Sequence, residues 1–283
     1  MMRKLMWVGG AIGALAGVAW AGPPAGNGGP SPEARRKAVL KAQLAAMADE
    51  EALVATFARQ ATVLTPSRSS EVHEENWWGG ATIAELNPHA EIVSRSFDHF
   101  VAGGNSEVVW FGADLHFTVV SHEPQEAAST AKFTVRVIEL LDGAAEWKPA
   151  VAAFTRVDTW STYGEVDVVD ATEVGPLASL MTSPSALGAA LGDGAIVYGN
   201  DPNERAIGVA DGRALTRRWQ KLPIAFTTPP KVHEVHAATY GYATGAVTVT
   251  PKPGGPVYKL SAFVLALPRI DGTWSVIGAS YGQ

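Results

Sequence analysis

Leu265-Ala-Leu-Pro-Arg-Ile-Asp-Gly-Thr-Trp-Ser-Val-Ile-Gly-Ala-Ser-Tyr281 reads as strand, Asp-Gly turn and strand. Much earlier, Val137-Ile-Glu-Leu-Leu-Asp-Gly-Ala-Ala-Glu-Trp-Lys-Pro-Ala-Val-Ala-Ala-Phe154 follows the same plan. In both, an Asp-Gly pair (Asp142-Gly143, Asp271-Gly272) precedes a Trp (Trp147, Trp274), and an aromatic (Phe154, Tyr281) follows that Trp by seven positions. Asp-Gly supplies the positive φ that a tight hairpin needs, so the pair fixes register. Trp147 and Trp274 then share one place in a repeated unit and are expected in its core.

Working outward, the strands before each hairpin also correspond. Trp110-Phe-Gly-Ala-Asp-Leu-His-Phe-Thr-Val answers Tyr240-Gly-Tyr-Ala-Thr-Gly-Ala-Val-Thr-Val. Trp110 to Trp147 spans 37 positions and Tyr240 to Trp274 spans 34, two of the difference lying in the first hairpin turn. A repeat this long is a duplicated domain, not a solenoid unit. Domains are expected at 36–160 and 165–283.

Each copy is expected to run helices, short strand, helix, then long strands. In the first, Ser31-Pro32 opens a helix that carries Leu40, Leu44 and Met47 on one face. Asp49 caps a second helix, and Thr62 to Leu64 is a short strand. Asn87-Pro88 is expected to start a third helix, with Ile92, Ser96/Phe97 and Phe100 inward and Gly103-Gly104 at its end. From Glu107 the pattern alternates: Val109, Phe111, Ala113, Leu115, Phe117 and Val119 share one face, Trp110, Asp114, His116 and Thr118 the other. In the second copy, helices near 172–180 and from Ser183-Pro184 precede a strand at 195–198, an Asp201-Pro202 turn, a helix to about Leu222 and four strands.

The chain has 283 residues, 47% hydrophobic and 18% charged, with a formal net charge of −6. That is enough apolar material for two small cores, and the acidic balance argues against a nucleic-acid partner. Arg3 and Lys4, the apolar run Leu5 to Val18 and Ala19-Trp20-Ala21 read as an export signal, 1–21, with its cleavage site. The expected address is periplasmic or secreted, with no stable membrane insertion once the signal is removed; the alternative is an uncleaved membrane anchor, which the Gly content of the run and Pro23-Pro24 weaken. Residues 22–35, rich in Pro and Gly, read as a disordered tether. With no cysteine there is no disulfide, no Cys-type zinc site and no lipid-carrying Cys.

Three stretches carry a resemblance to a known fold: Asp-Gly-Thr-Trp-Ser-Val-Ile-Gly-Ala-Ser-Tyr at 271–281, Val-Tyr-Gly-Asn-Asp-Pro-Asn-Glu-Arg-Ala-Ile-Gly at 197–208, and Glu-Val-Val-Trp-Phe-Gly-Ala-Asp-Leu from 107. Both halves resemble the NTF2-like fold, in its SnoaL-like and ketosteroid-isomerase-like branch. The resemblance implies an α+β fold of two cones, each with N-terminal helices packed on a curved antiparallel sheet, and a small apolar ligand. It also implies pairing through outer sheet faces, so the Trp110/Asp114/His116 face is expected against the second copy as an internal pseudo-dimer. No cofactor is implied.

By the same resemblance, Asp201 in Asp201-Pro202 stands where ketosteroid isomerases carry a general base; the alternative is a solvated turn. The family's oxyanion stabilisers do not follow it, for 173–191 contain no Tyr and 261–267 no Asp. Thr65-Pro66 replaces the Asp-Pro in the first copy. Candidate ligand contacts are Trp77 and Trp78, Gly-flanked in an irregular stretch, with Trp110, Trp219 and Tyr240, which are expected to pack between helix and sheet. No metal site is read: His233 and His236 lie on a strand, where i and i+3 point apart. The sequence therefore favours an exported, non-catalytic binding or interaction protein, with an Asp-dependent isomerase or cyclase as the alternative.

Overall fold

Alternating apolar residues dictate strands that bury one face, and the helices before each strand run supply the cover. The computed structural model describes residues 32–46, 50–59, 61–64, 69–71, 90–121, 128–157 and 174–282. The first half contains α1 (Pro32–Ala46), α2 (Glu50–Val54), β1 (Thr62–Leu64), β2 (Ser69–Glu71), β3 (Ala90–Gly104), β4 (Val108–Ser121), β5 (Ser129–Asp142) and β6 (Lys148–Val157). The second contains α3 (Pro176–Ser179), α4 (Pro184–Ala190), β7 (Leu191–Tyr198), β8 (Arg205–Ile207), α5 (Gly208–Trp219), β9 (Ile224–His236), β10 (Gly241–Val249), β11 (Tyr258–Pro268) and β12 (Trp274–Gly282).

One sheet has the order β2-β1-β6-β5-β4-β3, the other β8-β7-β12-β11-β10-β9. Adding six to each label of the first gives the second. In both sheets the short strand runs parallel to the last one, β1 with β6 and β7 with β12, and the other pairs are antiparallel. The two halves are thus one α+β topology written twice.

Three apolar clusters follow from strand alternation. The odd-numbered face of β4 (Val109 to Val119) joins Leu40 and Leu44 of α1 in the first cone. Leu260, Ala262, Val264 and Ala266 of β11 join Leu187, Leu215 and Trp219 in the second. The opposite faces meet in a seam, where Val108, Trp110, Ile138 and Leu140 lie in one cluster with Ile196, Tyr198, Phe263, Leu265 and Ile277.

Close approach in the seam explains two glycines. A Cβ on Gly112 would sit 2.7 Å from Tyr198 Oη and 3.1 Å from the Ile196 side chain; one on Gly278 would sit 2.9 Å from Ile138. Gly112→Val is expected to lower the unfolding free energy by about 1–3 kcal/mol, the usual cost of overpacking. Urea denaturation reads this directly, and an unchanged midpoint would mean that the faces do not touch there.

Several sequence expectations need correction. The third helix is strand β3, paired along its length with β4. Irregularities between Ile92 and Ser94 and between Asp98 and Val101, the second including His99 at φ 48°, interrupt the two-residue alternation. The inward residues Ile92, Phe97 and Phe100 consequently imitate helical spacing. Residues 32–35 belong to α1, not to a tether.

The first hairpin lacks the two-residue turn expected of it. Asp142 caps a 3-10 turn at Gly143–Ala145, its Oδ1 accepting from Ala144 N at 2.8 Å, and the left-handed residues are Glu146 (φ 58°) and Trp147 (φ 60°). The second hairpin does turn at Gly272 (φ 79°), with Asp271 Oδ1 accepting from Thr273 N at 3.0 Å. This difference turns Trp147 outward, 39% exposed, so it is not a core residue. Trp274 is half-buried, packed on the second core and against the His236 ring at 4.9 Å. Phe154 and Tyr281 do reach the two cone interiors.

The proposed signal, Met47, Asp49, Thr65-Pro66, Trp77, Trp78 and Asn87-Pro88 lie outside the described residues. Among the described residues, no helix is long and apolar enough to cross a membrane.

Candidate functional site

A buried guanidinium cannot be left unpaired, and Arg136 on β5, 2% exposed, finds its partners across the seam. Its Nη1 donates to the carbonyls of Gly199 (3.0 Å), Asp201 (3.1 Å) and Glu204 (3.1 Å), and Nη2 to Pro202 O (2.6 Å). Its Nε lies 3.5 Å from Asp114 Oδ1, while Arg205 Nη1 holds Asp114 Oδ2 at 2.8 Å. Burial lowers the Arg136 pKa and the Asp114 charge opposes that, yet a guanidinium stays protonated. The Asp-Pro turn of the second copy is thereby a carbonyl cage around a cation from the first.

This placement bears on Asp201. Its carboxylate accepts from Asn203 N at 2.8 Å, an Asx turn, and the residue is half-buried at the loop surface. The adjacent cone is filled. Its cavity measures about 10 Å³ and is lined by Asn200, Glu204, Trp219 and Tyr281 among others, but not by Asp201. Such a space holds about one water molecule. Trp219 occupies the interior, donating from Nε1 to Glu204 Oε1 at 2.8 Å and meeting Tyr281 edge-on at 5.0 Å. Tyr281 Oη donates to Met181 O at 3.0 Å, and burial raises its pKa.

Trp110 packs between the two sheets instead of between helix and sheet, with Nε1 donating to Gly194 O at 3.1 Å. Tyr240 packs half-buried at the edge of that seam, and burial raises its pKa. Trp110 and Tyr240 thus belong to the seam and Trp219 to the second cone, so the three do not gather around one site.

The first cone holds something different. Along β5, Val135, Val137 and Leu141 face the apolar interior, and the same alternation places Glu139 there, 0% exposed. Burial pushes its carboxyl up to about 8, and a side-chain hydrogen bond with Gln43 of α1 acts against the rise. Gln43 is also 0% exposed. None of the four polar atoms on these two side chains has a hydrogen bond of good geometry among the described residues. At neutral pH Glu139 is therefore mainly a neutral acid, able to donate one hydrogen bond and accept others, inside an apolar cone.

Sequence reasoning missed this pair. Its signal was a single charged residue in the apolar row 135, 137, 139, 141 and one amide beside Leu44 on a buried helix face.

Two other constellations are weaker. Asp98, His99 and Asp114 bring ligand atoms within 4.8 Å of one another, but Asp114 is already engaged by Arg205 and Arg136. His116 lies between Asp98 Oδ1 (3.0 Å from Nε2) and Thr134 Oγ1 (3.0 Å from Nδ1), a triad-like row. Its strand β4 is flanked by β3 and β5, whose ladders engage the backbone N–H groups an oxyanion hole would need.

Neither a protein-family model nor a curated protein gives a significant match to this chain. Solved structures do. A ketosteroid isomerase-like protein from Erwinia carotovora is 14% identical and covers 44% of this chain and 94% of its own, with a TM-score of 0.33. A conserved protein from Planctomyces limnophilus is 19% identical, covering 44% and 97%, with a TM-score of 0.32. An NTF2-like protein of unknown function from Pseudomonas putida is 16% identical, covering 35% and 72%, with a TM-score of 0.29. The fold is similar to that of these ketosteroid isomerase-like and NTF2-like proteins. Each match spans less than half of the chain, and the chain itself carries two sheets of one topology.

Proposed function

We propose that this is an exported, non-catalytic binding protein whose first NTF2-like cone takes a small, largely apolar molecule bearing one oxygen function. The second cone serves as its scaffold, joined to the first as an internal pseudo-dimer. The observation that carries this reading is the Glu139–Gln43 pair, four buried polar atoms without good hydrogen bonds in an apolar interior. A fully unmet buried polar group costs about 1–3 kcal/mol, and a ligand hydroxyl or carbonyl would complete the bonding that this pair satisfies only in part. The filled second cone and the Arg136 cage support giving that half a structural role.

An isomerase or cyclase working through Asp201 is the weaker reading, because that carboxylate is spent on Asn203 N and does not line the cone. Native mass spectrometry of protein purified from its own host, alongside calorimetric titration with decanol, tests the proposal. The expected result is a retained small molecule or decanol binding, with Glu139→Ala weakening decanol about tenfold or more. Equal affinities of wild type and Glu139→Ala for decanol would remove the cone from the account.

A further inference from the structure

A groove of about 580 Å³ runs between α1 and β3, lined by Lys41, Leu44, Ala45, Arg95, Ser96 and Phe97. Its volume lies in the usual range for small-molecule sites. In a chain of net charge −6, it presents two cations and, among its lining residues, no acid. Arg95 Nη1 is fixed by donating to the last carbonyls of α1, Leu44 O at 2.6 Å and Ala45 O at 2.9 Å. Its Nε and Nη2 carry no protein hydrogen bond among the described residues, and neither Arg95 nor Lys41 pairs with a carboxylate there. The nearby acids are already paired: Glu33 with Lys37 at 2.6 Å, and Asp98 with His116 at 3.0 Å.

Beyond the groove lies a run of packed aromatic rings. Phe97 lies 6.2 Å, ring to ring, from Phe100, and Phe100 stacks at 5.5 Å on Phe111. Phe111 is fully buried, and its cross-strand partner on β5 is Glu139. A row of three aromatic rings therefore runs from the groove's Phe97 to the cross-strand neighbour of Glu139.

We propose that Lys41 and Arg95 form a head-group site, so that the ligand of the first cone is an amphipathic carboxylate. The anion sits at the groove, and its apolar body lies along Phe97, Phe100 and Phe111 toward Glu139. This rests on the reading of the first cone as a binding site, and names the ligand class. A pinned guanidinium suits a carboxylate because its fork is already oriented, and the charge-assisted bonds it makes are the strong ones.

Calorimetric titration of the full chain with decanoate and with decanol separates the two claims. Decanoate is expected to bind about tenfold or more tightly than decanol, with an affinity that falls as salt is added. Lys41→Gln and the double variant Lys41→Gln/Arg95→Gln are expected to weaken decanoate stepwise and leave decanol unchanged. The single variant guards against loss of the α1 cap that Arg95 supplies. Equal binding of the two probes, or decanoate binding indifferent to both variants, overturns the head-group site and leaves the cone reading intact. Decanoate binding that depends on Lys41 but not on Glu139 keeps the head-group site and overturns the cone. Absence of binding by either probe overturns both.

Discussion

Arg136→Met is expected to cost about 3–5 kcal/mol of stability, the usual penalty for removing one partner from a buried charged network. Methionine keeps much of the volume, so the loss reports the polar contacts. Four carbonyls at Gly199, Asp201, Pro202 and Glu204 lose the guanidinium, although Asp201 O and Glu204 O keep backbone donors in Glu204 N and Gly199 N, and Asp114 keeps only Arg205. Released loop carbonyls would also loosen Glu204, which holds the indole of Trp219. Tryptophan emission should therefore shift to the red in the variant before global unfolding begins. Denaturant unfolding with emission as the probe checks both points; a midpoint unchanged from wild type would show that the cage contributes nothing. Lys at this position should recover little, because a single ammonium cannot reproduce a planar fork aimed at several carbonyls.

The second large effect is a pH dependence of stability traceable to Glu139. Its folded-state pKa is about 8 against an ordinary 4.5, so the folded chain retains a proton that the unfolded chain releases. The unfolded state binds fewer protons between those two values, and stability falls as pH rises through that window. The stabilisation is fully present below about pH 4.5 and lost by about pH 8. The slope is about 1.4 kcal/mol per pH unit from this group alone. Other carboxylates titrate too: Glu33 and Asp271, both held below their ordinary values, add the opposite slope in acid. The comparison that isolates the effect is wild type against Glu139→Gln. The variant should become relatively more stable with each unit above pH 5, and parallel stability curves would contradict a neutral carboxyl in the cone.

Much of the architecture was legible because alternation is a local signal. Val109 to Val119 declared both faces of β4 at once; on the other face Trp110 and Asp114 reach the second sheet, whereas His116, expected there too, pairs with Asp98 and Thr134 of its own sheet. The repeated hairpin pointed to the duplicated topology, although its two Trp residues do not share one environment. What failed was local too. The irregularities in β3 moved Phe97 and Phe100 onto a helix-like spacing, and a longer turn sent Trp147 outward.

The Arg136 cage was out of reach, since it joins residues 63 to 68 positions apart through backbone carbonyls that carry no sequence signature. Glu139 was within reach. A lone acid in phase with Val135, Val137 and Leu141 is visible in the alternation, whereas Asp201 stands out only through the family resemblance.

Carboxyl-carbon NMR of the glutamate side chains, with Glu139 assigned by its absence in Glu139→Gln, tests the neutral acid of the first cone without any ligand. A titration midpoint near 8 is the predicted result. A midpoint near the ordinary 4.5 would mean a solvated carboxylate, and the first cone would then have no buried donor with which to hold a ligand.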